Sequence, residues 1–515
     1  MKSREFFFVA AMAAALALAP VGAYGQVEGM TLDQQNENYG YYTYNTHSGW
    51  QSFTASTNEH LGAVQLWLYS TGDNATHSGG GPWTATLRIY EGEGTGGRIL
   101  AEQAISGDGL LQRRTFVLET PVRQAAGTQY TVYFGGSATH LTVRLSGNVY
   151  AGGTCLSGAI YDYNFKTHVI TSNWSEEAYR DTSFTGTMTV ISNAAQLAQF
   201  AYLMNHGAYS SPGPVDLIAD INLAGHFWTP ISSMKYMDFR GNGHTIRSVT
   251  INNPDADGQG LFGYTQQTIS ELTVADVDIA GRNNVGGIAG SGRDTIFYCS
   301  ASGRVAGWSS VGGIVCDASG DVLFCTNNAT VTGESQVGGV AGSAGMLRFD
   351  SNHGAVSGGG IVGGVAGDCY VGLACDNSGT VSGASGGTLV GGIAGICTFW
   401  LDTCRNSGPV TGAALVGGIA GEIDGTVNAG VNSGPVSGDA SVGGVVGLLF
   451  MATMLNCVNG AAVGATNYVG GIVGDNQGGA VNCANTGTVS GVTAVGGLAG
   501  RLFGNDNMLM NCANA

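Results

Sequence analysis

The side chains fit for chemistry are few, and their spacing decides what they could do. Asp317, Asp321, Asp368, Asp376 and Asp402 are scattered along the later half of the chain. Lyases and hydrolases built on parallel coils need clustered carboxylates, with a basic partner in the lyases, to pass protons to and from a sugar. No lysine follows Lys235 to serve as that partner. Residues 383–387, GASGG, match the G-x-S-x-G of a nucleophile elbow. In a chain with 87 glycines that match is expected by chance, and no histidine follows His353 to complete the triad order of an α/β-hydrolase. The sequence has no H-E-x-x-H and no C-x-x-C, so neither a zinc peptidase nor a structural zinc site is indicated. The expectation is a protein that is not an enzyme and needs no metal or cofactor.

Binding chemistry is better represented. Tyr41, Tyr42, Tyr44 and Trp50 fall in YGYYTYNTHSGW, and flat apolar faces with polar tips suit stacking on sugar rings. The blander reading is that they cover one face of a sheet. A column of small hydroxyls, Thr332, Ser357, Ser382, Thr411, Ser437 and Ser490, suggests ice or surface binding as a minor alternative. Its neighbouring column (Thr330, Thr380, Thr488) is broken by Ala355, Pro409 and Pro435, and small hydroxyls are ordinary turn residues. A formal net charge of −17 repels nucleic acid.

The elements that must position these residues follow from texture and repetition. Lys2 and Arg4 precede the apolar run FFFVAAMAAALALAP, and AYG at 23–25 offers small residues to a signal peptidase. Residues 1–25 therefore read as a signal peptide cleaved before Gln26, with no transmembrane segment remaining afterwards. Residues 26–150 hold alternating strands spaced by turns, such as GAVQLWLY and ATLRIYEG, the pattern of an antiparallel β-sandwich. Residues 151–185 read as a connector containing Cys155.

From there the chain repeats itself. V-G-G-[IVL] begins at Val285, Val311, Val337, Val362, Val390, Val416, Val442, Val469 and Val495, at offsets of 25 to 28 residues. A unit of ~26 residues cannot enclose a core, but stacked copies can cover one another. This predicts an all-β fold over residues 186–515: a parallel β-helix of about ten coils. Glycine pairs would turn the corners by allowing φ > 0, so that Val285 and Ile288 both point inward. The insertion around 383–388 should leave the stack intact. Cys299, Cys325, Cys375, Cys404, Cys457, Cys483 and Cys512 recur with the same period and read as an interior ladder, with Cys369 and Cys397 stacking elsewhere. Disulfides between adjacent coils are open on distance grounds. Asn193 and Gln196 open a capping helix whose inner face is Leu197, Phe200, Ala201 and Met204. The final NCANA repeats the start of NCANTG, so the chain is expected to end mid-repeat: either it is a truncated product, or further coils and a distal domain lie beyond it.

The VGG[IL]AG repeats, with the lead-in ISNAAQLAQFAYLMN…LIADINLAG…FRGNGHTI…GLFGY, resemble the GLUG motif of bacterial secreted and surface proteins. The resemblance covers roughly residues 190–515. It implies a right-handed β-helix and an adhesin-like role at the cell surface or in the medium, facing an extracellular glycan or a host or bacterial surface protein. The motif brings no catalytic residues. GLUG repeats also occur in IgA-specific metallopeptidases, so the alternative is part of a peptidase or carbohydrate-active enzyme whose catalytic domain is missing here.

Overall fold

The computed structural model describes residues 30–515 apart from 37–41, 47, 58, 71–80, 109–111, 137–140, 148–149, 157–160, 171–172, 175–180, 211–212, 233, 384–387 and 504–507. The expected signal peptide lies outside these residues. About 59% of the chain is strand, with one helix among the described residues. Antiparallel sheets come first and a parallel β-helix of about 12 coils follows.

The front sheets are β1 (Met30–Asn36), β2 (Tyr42–Thr46), β3 (Gly49–Thr54), β4 (His60–Ser70), β5 (Trp83–Glu91), β6 (Ile99–Gly107), β7 (Gln112–Arg123), β8 (Gln129–Gly135), β9 (Leu141–Gly147), β10 (Tyr161–Tyr163) and β11 (Phe165–Ile170). One sheet has seven strands in the order β1-β11-β4-β9-β10, with β2 on β9 and β7 on β4; the other has four, β3-β8-β5-β6. Alternation explains the layering. In β5, Trp83, Ala85, Leu87 and Ile89 are buried, while Thr84, Thr86 and Arg88 between them are not. Phe53, Leu87 and Phe134 of the smaller sheet share one core with Leu61, Leu68 and Phe165 of the larger.

The stretch 151–185 is not merely a connector. Its β10 pairs with β9, and its β11 inserts between β1 and β4. All six residues of β11, FKTHVI, are buried. A strand covered on both faces has no reason to alternate, which is why periodicity does not reveal it.

The β-helix has three faces, formed by sheets of 17, 20 and nine strands. The nine-stranded face consists of the V-G-G segments. Val285, Val311, Val337 and Val362 pair in parallel register, and the ladder continues through Val390, Val416, Val442 and Val469 to Val495. Val285 and Ile288 are both fully buried. The chain therefore stacks like on like. The earlier coils, built on Val190–Ile191, Val215–Leu217 and Phe239–Arg240, also pair in parallel. They lack V-G-G, so the motif undercounts the coils. Around the insertion, Val381 stays paired with Val410, and Val362 with Val390; residues 384–387 themselves lie outside the described set.

The glycine pairs act differently from the expectation. None of the V-G-G glycines has a left-handed φ. They are small because the backbone comes too close for anything larger. A Cβ on Gly338 would meet Ala341 O at 1.8 Å, and one on Gly339 would meet Gly364 O at 2.1 Å and the Asn352 amide at 2.3 Å. Left-handed residues sit elsewhere and carry side chains: Tyr298, Phe324, Phe349, Ala374, Thr403, Ala429, Asn456, Asn482 and Asn511 all have φ between 50 and 59°. Each stands one residue before the cysteine ladder position.

That ladder reads Cys299, Cys325, Asp350, Cys375, Cys404, Gly430, Cys457, Cys483, Cys512, as the pairing of the flanking residues fixes. All eleven cysteines are free thiols. Cys369 and Cys397 pair directly on another face. Two residues past the cysteine position runs a second ladder. Asn327, Asn352, Asn377, Asn406, Asn432, Asn459 and Asn485 each donate Nδ2–H to Oδ1 of the next asparagine, the last being Asn514, at 2.7–2.9 Å. Each Nδ2 also donates to the carbonyl two residues on, at 2.9 Å. An internal row of amides satisfies itself only if it continues from coil to coil.

Helix α1 (Ala194–Asn205) closes the front end. Asn193 accepts from Gln196 N–H at 2.9 Å, while Gln196 Oε1 accepts from Ser192 N–H, one residue earlier than a standard capping box. Leu197, Phe200 and Ala201 are buried and Met204 packs partly against the same core. The Phe200 ring lies 6.3 Å from that of Phe239 in the coil below.

Candidate functional site

The aromatic cluster read from sequence is divided. Trp50 lies in β3, opposite Tyr133. Tyr42 and Tyr44 lie in β2, opposite Leu145 and Val143, in the other sheet. Tyr41, and the side chains of Tyr42 and Tyr44, lie outside the described residues. Trp50 is half-buried, and Gly94 of the β5–β6 loop approaches its ring edge at a would-be Cβ distance of 3.8 Å. Trp50 is thus the member of the four whose surroundings are defined, and it presents part of an indole surface at the sandwich edge.

The scattered carboxylates do not converge. Asp317 and Asp368 share a column but are separated by Ser343 on the coil between them. Asp376 lies on another sheet, opposite Arg405. Asp402 accepts from Asn428 at 2.7 Å. His353 Nδ1 lies 2.7 Å from Ser378 Oγ on the exposed rod surface, but among the described residues no carboxylate orients the ring. Among the described residues no three His, Cys, Asp or Glu side chains gather as metal ligands would.

The most elaborate polar geometry lies where the sandwich meets the rod. His60 of β4 places Nε2 2.8 Å from Asp278 Oδ2, and Arg304 Nη1 reaches Asp278 Oδ1 at 3.0 Å. His60 and Asp278 are both buried. Burial alone would raise the Asp278 pKa. The His60 hydrogen bond and charge, with the Arg304 charge and hydrogen bond, outweigh it and hold the carboxyl below its usual range. Apolar contacts flank this ion cluster. Met30, Ala63 and Ile170 of the sandwich pack with Phe227 of the first coils, whose ring meets His60 edge-on at 5.8 Å. Ser248 Oγ donates to Glu119 O across the same boundary.

Sequence reading misses this junction because its partners are 218 residues apart, one in the sandwich and the other in the rod. The asparagine ladder, in contrast, was visible as the N of the recurring N-x-G-x-V phrase, although its interior position was not.

No family model matches the chain. Over 67 residues, 13% of its length, it is 39% identical to halomucin of Haloquadratum walsbyi. That stretch spans about 1% of halomucin. Among the described residues no helix is long and apolar enough to cross a membrane.

Proposed function

We propose that the chain is an exported, adhesin-like protein of the GLUG-repeat kind, in which a repeat rod holds a glycan- or protein-binding sandwich clear of the surface that bears it. The observation that carries this reading is the unbroken register of the nine-stranded V-G-G face. About 12 coils, each rising ~4.8 Å, make a rod roughly 60 Å long, and a stack hydrogen-bonded coil to coil resists bending. The sandwich is docked against the early coils of that rod through the His60–Asp278–Arg304 cluster. The apolar, alanine-rich segment after Lys2 and Arg4 supports export. The limited likeness to halomucin adds nothing about a ligand.

The test is a glycan array and a panel of extracellular matrix proteins probed with the whole chain and with Trp50→Ala. Binding to a defined set, lost in the variant while its melting is unchanged, supports a binding sandwich on a rod. Binding that survives Trp50→Ala moves the site elsewhere, and a chain that binds no member of either panel overturns the adhesin reading.

A further inference from the structure

The junction between sandwich and rod encloses a cleft of about 480 Å³ whose chemistry the ion cluster does not exhaust. Its walls come from Arg98 and the start of β6, from the end of β7 and the turn after it, and from two neighbouring coils of the rod. Three arginines line it, Arg98, Arg123 and Arg304, against one carboxylate, Asp278. In a chain with 19 basic residues against 36 acidic ones, that local excess of positive charge runs against the average. Arg304 and Arg98 are each engaged on one side, with Asp278 at 3.0 Å and Glu91 at 3.3 Å. Arg123 is exposed and makes no ion pair among the described residues.

A second observation is independent of charge. Gln124, also in the cleft wall, is 3% exposed, yet neither its side-chain nitrogen nor its oxygen has a hydrogen-bond partner. A buried, unpartnered amide costs about 1–3 kcal/mol for each unmet group, so proteins rarely leave one without a use. Beside it, the buried Tyr130 hydroxyl accepts from Ala125 N–H at 2.9 Å, which leaves its own O–H free to donate. Ile99, Pro121 and Val122 supply apolar wall.

We propose that this cleft binds a small acidic sugar, a uronic- or sialic-acid residue. Its carboxylate pairs with Arg123 and the free edges of Arg98 and Arg304, and its hydroxyls satisfy the Gln124 amide and the Tyr130 O–H. Guanidinium forks recognise carboxylates bidentately. An amide that both donates and accepts suits a hydroxyl, which does the same. The volume fits one or two sugar rings rather than a polymer strand, and the net charge of −17 disfavours a long polyanion. Trp50 does not line the cleft, so this site is separate from the one tested above and can fail or succeed independently of it.

Calorimetric titration of the whole chain with glucuronic acid, N-acetylneuraminic acid, methyl glucuronate (the uncharged ester) and acetate tests the assignment. The expected result is saturable binding of at least one acidic sugar, weakened roughly tenfold or more by esterification and by Arg123→Ala. Gln124→Leu, which keeps volume and removes the amide, should weaken it as well, with unchanged melting. Arg98→Ala serves as the second charge variant if Arg123→Ala misfolds. Absence of binding by both acidic sugars overturns the proposal. So does affinity indifferent to the arginine and Gln124 substitutions, or acetate binding as tightly as the sugar acids, which would leave an anion hole with no sugar recognition.

Discussion

Asp278 and Asp350 are the same side chain buried in two ways, and they mark two regions built on different principles. At the junction, Asp278 is buried between a histidine and an arginine drawn from distant segments. Their combined pull overcomes burial and keeps it ionised. In the rod, Asp350 replaces a cysteine of the interior ladder. It is fully buried and receives only the N–H groups of Cys325 and Arg348, at 2.7 and 2.9 Å. Burial dominates there and pushes its pKa well above the usual value, against the pull of those two N–H groups. The front end tolerates charge because it assembles specific partners. The rod is built from what repeats, and an exception in its column finds only backbone donors, which burial outweighs.

The comparison predicts that backbone closeness matters most in the rod. Gly339→Ala would drive a Cβ to 2.1 Å from a carbonyl of the next coil and 2.3 Å from the Asn352 amide, where only backbone movement through several coils could relieve it. A loss of about 5 kcal/mol or failure to fold is expected in denaturant titrations. Gly96→Ala in the sandwich loop meets open space and should change stability by about 0.5 kcal/mol or less. Equal losses at both sites would erase the distinction.

Next in size is the amide ladder. Asn406→Ala removes the acceptor of Asn377 Nδ2, at 2.7 Å, and the donor to Asn432 Oδ1, at 2.9 Å. Asn377 Nδ2 keeps its bond to Gly379 O and Asn432 Oδ1 keeps the Gly434 N–H, so one N–H and one lone pair go unmet, for a loss of about 2 kcal/mol at equilibrium. The informative control is Asn428→Ala, in the partly exposed row it forms with Asp402 and Asn456, where water can replace the lost partners and the loss should be smaller.

Acid should separate the regions. His168 of β11 and His226 of the first coils are buried, and burial (for His168 also the charges of Lys166 and Arg113) lowers their pKa to about 4. The unfolded chain takes up these protons near pH 6.5, whereas the folded chain does not until about pH 4. Stability therefore falls as pH drops through that window, by about 2 kcal/mol for each histidine at pH 5. Asp278 adds a loss of the same sign at lower pH, as the carboxyl protonates. After His244 the rod has one histidine, His353, which is exposed. Tryptophan fluorescence weighted to the front (Trp50, Trp67, Trp83, Trp174, Trp228) should change at milder acid than the far-UV signal of the rod. Coincident transitions would show one cooperative unit.

What the sequence reveals follows the same division. The ladder of Val285 to Val495 was legible because like residues recur at the coil period. The capping helix was legible because Asn193, Gln196 and the apolar face recur at helical spacing. In the sandwich, β5 alternates and could be read. Where a strand is covered on both faces, as β11 is, the pattern vanishes. The junction of His60, Asp278 and Arg304 leaves no trace in any local window, nor does the orphaned amide of Gln124, because each depends on how two folded regions meet. The glycines show a subtler limit: their positions in each coil were correct, but the reason was close approach and not left-handed φ.

The smallest expected effect concerns the corners where left-handed backbone carries side chains. Phe324 has φ 53° and stacks between Tyr298 at 4.9 Å and Phe349 at 4.8 Å, with interplanar angles of 16° and 11°. Because the rings occupy one another's faces, the stack works as a stabilising seam and leaves mainly its edges to solvent. Phe324→Ala keeps the backbone penalty and loses both stacking partners, for about 1 kcal/mol, since the ring is 41% exposed. Later coils solve the same corner with Asn456, Asn482 and Asn511, whose short amides tolerate left-handed φ. Phe324→Asn should therefore lose less than Phe324→Ala in the same urea titration. If alanine proves the better replacement, the seam owes nothing to backbone preference, and the aromatic corners are held by stacking alone.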